Sequence, residues 1–112
     1  MYNEEYFEYC KRVAEELEQY INGEIIDEET GEELSLYDYF ADVLDFEFII
    51  NSDSTYKAVK VYVTLGGPTV WIDTYTARVE LRWGSDYAAH CLLSDTVNAI
   101  DEYFEEYYNS CR

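Results

Sequence analysis

Carboxylates are the reactive groups this chain holds in excess: twenty-five Asp and Glu stand against seven Lys and Arg, a net charge of −18. Closely spaced carboxylates serve general acid–base catalysis, calcium ligation, or a negative surface offered to a basic partner. Two stretches concentrate them. DEETGEE places Asp27, Glu28, Glu29, Glu32 and Glu33 within seven residues. It lacks the alternating Asp/Asn positions and the distal Glu of a calcium loop. DEYFEE places Asp101, Glu102, Glu105 and Glu106 within six. On a helix, Asp101/Glu105 and Glu102/Glu106 are like-charge pairs four residues apart, each destabilising by about 0.2–0.5 kcal/mol.

The other reactive side chains assemble no site. Carboxylates are too abundant for one pair to stand out as acid and base. His90 is the single histidine, and Cys91 beside it would point to the opposite face of a strand, so the two form no dyad. Cys10, Cys91 and Cys111 are odd in number and widely spaced, unlike a disulfide framework or a zinc site. The glycines of LGGPT read as a tight turn, not a phosphate-binding loop. The expectation is a protein that is not an enzyme and has neither a metal site nor a cofactor.

The elements that must position these residues follow from hydrophobic period. Residues 3 to 22 repeat Tyr6, Cys10, Val13, Ala14, Leu17 and Ile21 at helical spacing, and Asn22-Gly23 closes the helix. Two short extended pieces then flank Glu29-Thr30-Gly31, where Gly31 supplies the positive φ of a hairpin turn. Ser35 and Asp38 form a capping box that starts a short helix through about Leu44, burying Leu36, Phe40 and Val43.

The period then changes to two. Leu44, Phe46, Phe48 and Ile50 face inward, as do Val59, Val61, Val63 and Leu65, with Lys60, Tyr62 and Thr64 outward. GGP leads into Val70-Trp71-Ile72. Ala77, Val79, Leu81 and Trp83 alternate with Arg78, Glu80 and Arg82, and a shorter strand lies near 87 to 92. Ser94 caps a last helix burying Val97, Ile100, Phe104, Tyr107 and Cys111. The fold class is α+β: a single domain over 1–112, with an antiparallel meander of four to five strands. The N- and C-terminal helices cover one face, and a short helix lies between. No run approaches the roughly 18 apolar residues of a membrane span. The acidic start is unlike a signal peptide, so a cytoplasmic location and no membrane partner are expected.

Charge is segregated across this plan. Lys11 and Arg12 are spaced to pair with Glu8 and Glu15 on the first helix. The last helix has no base before Arg112, although its acids approach the negative end of the helix dipole. From Val13 to Tyr56 there are fourteen acids and no Lys or Arg. Four of the seven bases, Lys57, Lys60, Arg78 and Arg82, fall instead on strands. An acidic surface set without local compensation points to a basic partner, and repels nucleic acid itself. The candidate contact residues are Asp27, Glu28, Glu29, Glu32, Glu33, Asp38, Asp42, Asp101, Glu102, Glu105 and Glu106. Interleaved tyrosines (Tyr37, Tyr39, Tyr103, Tyr107, Tyr108) would add contact area.

Three segments carry a resemblance: LSLYDYFADVLD, LGGPTVWIDTYTARVELRWGSDYA and LSDTVNAIDEYFEEYY. GGP before a strand ending in Asp73, the Trp83-Gly84 turn and the IDEYFEE helix resemble small acidic proteins of bacterial mobile elements. In size and charge the chain is similar to anti-CRISPR and antirestriction proteins, several of which mimic DNA. The resemblance implies a non-enzymatic inhibitor of a basic nucleic-acid-binding defence enzyme, a CRISPR effector or another nuclease. Two other readings are an immunity protein for a basic toxin, and a housekeeping binding module whose acidity serves solubility. That module would use Trp71 and Tyr62 on the sheet.

Overall fold

Alternation at period two sorts the strand residues of the computed structural model, which describes residues 4–41, 43 and 45–111, onto two faces of one sheet. Strands β1 (Asp45–Ile50), β2 (Tyr56–Thr64), β3 (Thr69–Asp73), β4 (Arg78–Trp83) and β5 (Asp86–Cys91) pair antiparallel in the order of the chain. Register fixes what lies beside what. Phe46 pairs with Val61, Val61 with Ile72, and Ile72 with Val79, giving an apolar row across β1 to β4 that ends on His90 of β5. Val59, Val61, Val70, Ile72, Val79 and Leu81 are completely buried beneath the helices.

Helices cover this face alone. In α1 (Glu4–Ile21) the predicted stripe holds: Cys10, Val13, Ala14 and Leu17 are buried, and the helix packs on β4 and β5. Its end is built as expected from Asn22-Gly23. Gly23 takes φ +71°, its N–H donates to Tyr20 O, and the Glu24 N–H reaches back to Gln19 O at 2.9 Å. Those two bonds satisfy carbonyls that the helix would otherwise leave open. Helix α3 (Ser94–Ser110) packs on β2 through Thr96, Ile100 and Phe104. Between the two lies α2 (Leu36–Phe40), whose Phe40 ring meets Phe104 edge to face at 4.8 Å.

Several expectations are corrected. The short helix stops at Phe40, and Leu44 lies outside the described residues. The hairpin expected around residues 24–34 does form, held by one bridge, Ile26 to Glu33, with Gly31 at φ +74°. Ile50 is half exposed because it follows an irregularity in the pairing of the edge strand β1. Leu65 lies in the turn beyond β2 and is also exposed. Ala77 sits in the β3–β4 turn with φ +58°, and Trp83, the last residue of β4, is half exposed. Ser94 is the first helical residue, not the cap; Leu93 holds that place without a side-chain bond. Tyr107 and Cys111 are exposed, and Tyr103 and Tyr108 pack against the core instead.

Candidate partner-binding surface

Every acidic side chain of the α3 cluster lies on a helix that owes its place to Ile100 and Phe104, both buried at the sheet. The four carboxylates nevertheless differ in what they do. Asp101 is half-buried, and its Oδ1 accepts the Tyr56 hydroxyl at 2.6 Å, tying α3 to β2. Burial, and then this bond, push the Tyr56 phenol well above its ordinary value of 10.0. Asp101 therefore belongs to the fold as well as to the surface. Its absence of local benefit, expected from the like-charge spacing, is corrected by a contact forty-five residues away in the chain.

Glu102, Glu105 and Glu106 are exposed, and among the described residues they make no hydrogen bond or ion pair. No base lies in the last turn of α3, where a cation would favourably meet the helix dipole. Three charges over the five residues 102–106 amount to about one per 2.5 Å of axis. That density falls between a single nucleic-acid strand, about one per 3.4 Å, and duplex DNA, about one per 1.7 Å. Asp95, on the same helix, sits in the first turn, where the dipole stabilises it.

The remaining predicted contacts divide between surface and architecture. Glu28, Glu29, Glu32 and Glu33 are exposed on the hairpin between α1 and α2. Asp27 is half-buried and shapes that turn: its Oδ1 accepts from the Glu29 N–H at 2.8 Å, while Gly31 N–H donates to its carbonyl. Asp38 completes the capping box, accepting from Ser35 N–H at 2.7 Å, while Ser35 Oγ accepts from Tyr37 N–H. Asp42 lies outside the described residues. The expected ion pairs of α1 are absent among the described residues. Arg12 instead holds its guanidinium 5.4 Å from the centre of the Tyr9 ring.

One functional-looking group escapes sequence reading altogether. Glu80, an outward residue by alternation, is only 7% exposed on the face that no helix covers. Trp71 Nε1–H donates to its Oε2 at 2.9 Å, and Tyr87 donates its hydroxyl to Oε1. Arg78 completes the set with an ion pair at 3.5 Å. Burial and the Glu80 carboxylate together push the Tyr87 phenol up to about 12. The signal was the register, because Trp71 and Glu80 are direct cross-strand partners. His90, by contrast, packs its ring edge to face on Phe7 at 5.7 Å, as a core-lining side chain does.

No known protein family, curated protein or solved structure matches this chain.

Proposed function

We propose that this chain is a non-enzymatic inhibitor whose acidic helical layer occupies the basic nucleic-acid channel of a defence nuclease, with a CRISPR effector as the first target to test. The observation that carries the reading is the strip Glu102, Glu105 and Glu106. These acids are exposed, unpaired among the described residues, and unrelieved by any base in the last turn of their helix. Their charge spacing lies in the range a nucleic-acid groove is built to hold. Electrostatic steering would make association fast and strongly salt-dependent. The resemblance to small acidic proteins of mobile elements points the same way.

The test is a cleavage assay against a panel of CRISPR effectors and other basic nucleases. The wild-type chain is expected to block cleavage by at least one of them, and to lose that effect as salt rises. The variant Glu102→Lys/Glu105→Lys/Glu106→Lys is expected to remain folded and to lose inhibition. Equal inhibition by the variant would exclude this strip as the contact. Failure of the wild-type chain to bind or inhibit any of the panel would count against the decoy reading itself.

A further inference from the structure

The uncovered face of the sheet follows a different charge logic from the helical layer. Lys60, Tyr62, Thr69, Trp71, Arg82 and Trp83 line a hollow there of about 440 Å3. That volume is within the range of about 300–1,000 Å3 typical of small-molecule sites. In a chain with twenty-five acids, the two cations of this hollow are held by rings instead of carboxylates. Lys60 Nζ stands 4.7 Å from the centre of the Trp71 ring and 5.2 Å from that of Tyr62. Arg82 lies 5.7 Å from the centre of the Tyr87 ring. Among the described residues neither cation is within ion-pair distance of an acid. The buried carboxylate of this face, Glu80, is already engaged by Trp71, Tyr87 and Arg78.

Trp83 closes one end of the hollow. It is 49% exposed, yet its six-membered ring lies against Gly67, where a Cβ would come 2.4 Å from a ring carbon. A large apolar ring is thus braced from one side and left open on the other. Among the described residues, two cations without an ion pair and three aromatic residues line one hollow, a cradle for a flat, negatively charged molecule. Glu47 and Asp73, which flank Lys60 in register, are engaged by the Tyr62 hydroxyl and by the Tyr75 and Thr76 N–H groups. Arg and Lys recognise phosphate, and aromatic rings stack on bases with little dependence on base identity.

We propose that this hollow is a ligand site for a nucleotide, its base stacked on the aromatic lining and its phosphate met by Lys60 or Arg82. The site is independent of the acidic strip on α3, which belongs to the opposite layer. A net charge of −18 opposes any anion at long range, but screening confines that repulsion to about 8 Å at physiological salt. A mononucleotide, with few charges, feels it less than a polymer does.

Both tryptophans of the chain line the hollow, so tryptophan emission, excited apart from the thirteen tyrosines, reports on this site. The probes are AMP, adenosine and a short oligothymidylate. AMP is expected to quench saturably, and adenosine, lacking the phosphate, to bind at least about tenfold more weakly, the scale of a lost charge-assisted contact. The variant Lys60→Met/Arg82→Met should lose AMP affinity by a similar factor, with its melting temperature recorded alongside. Binding of the oligonucleotide but not of AMP would assign the same base-and-phosphate chemistry to a single strand. The proposal is overturned if none of the probes quenches, or if adenosine binds as well as AMP. The adenosine comparison needs no variant, so the test stands even if the double substitution unfolds the chain.

Discussion

At the scale of single residues, the pair Tyr56–Asp101 shows how one acid in a run of four acquires a different role. A hydrogen bond to a charged acceptor contributes about 1.5–3 kcal/mol. Tyr56→Phe is therefore expected to lower unfolding free energy by roughly that amount in urea denaturation, since it leaves a half-buried carboxylate without its donor. Asp101→Asn, which keeps an acceptor, should be milder than Asp101→Lys. The same bond predicts a pH dependence. Because the folded chain raises the Tyr56 phenol above its ordinary 10.0, the native state keeps a proton that the unfolded state releases. Stability is then fully present below about pH 10 and declines as pH climbs beyond it. Cys10, raised by burial from 9.0 to about 11, has the same sign and opens its window earlier, between about pH 9 and 11. An alkaline titration of unfolding free energy should fall through both ranges, and Tyr56→Phe should make the part above pH 10 less steep, the rest of that slope belonging to the other raised phenols, Tyr39, Tyr87 and Tyr103. A profile that is level from pH 8 to 11 in the wild-type chain would contradict this account.

At the scale of elements, α2 is five residues long and cannot persist on its own propensity. It is held by its capping box and by Phe40, so Asp38→Ala should destabilise by about 1 kcal/mol, measured as a lowered denaturation midpoint. Asp38 is thereby a poor choice for testing partner contact, since losing it disturbs the helix before the surface. Gly67→Ala tests a different junction. Its Cβ would collide with the Trp83 ring, and overpacking of this kind costs about 1–3 kcal/mol. A shifted tryptophan emission should accompany the loss. Element type was readable from period alone: the helical stripe of α1, the alternation at Val59 and Val61 of β2 and at Val79 and Leu81 of β4, and the Ser35/Asp38 cap fold as their spacing predicts. What depended on tertiary geometry was not. Tyr107 has the spacing of a core residue, but it rests on Phe46 and Phe48 of β1, an edge strand that covers it on one side only. Glu80 reads as an ordinary outward residue until register sets it beside Trp71. For the candidate surface, sequence indicated which acids cluster and that Asp38 caps α2, yet not that Asp27 shapes a turn and Asp101 ties α3 to the sheet.

At the scale of the whole molecule, the decisive quantity is a net charge of −18 on a body 44 × 41 × 25 Å in extent. Charges crowded on that scale repel one another, and this repulsion is present in the folded chain more than in the expanded one. Added salt screens it, since the Debye length shortens from about 30 Å at 0.01 M to about 8 Å at 0.15 M. Melting temperature should consequently rise with salt over that range, whereas affinity for a basic partner should fall. The charge reversal Glu102→Lys/Glu105→Lys/Glu106→Lys separates these two consequences of one surface. It moves the net charge from −18 to −12 and replaces the like-charge pairs Asp101/Glu105 and Glu102/Glu106, in the first case with an attractive pair. It also brings cations to the last turns of α3, where the dipole favours them. The substituted chain should melt at a higher temperature than the wild type in low salt, with the difference shrinking as salt is added. A surface shaped by folding alone would not leave that gain unused at three adjacent exposed positions. If the reversed chain is instead less stable at low salt, these glutamates serve the fold, and the case for a basic partner loses its main support.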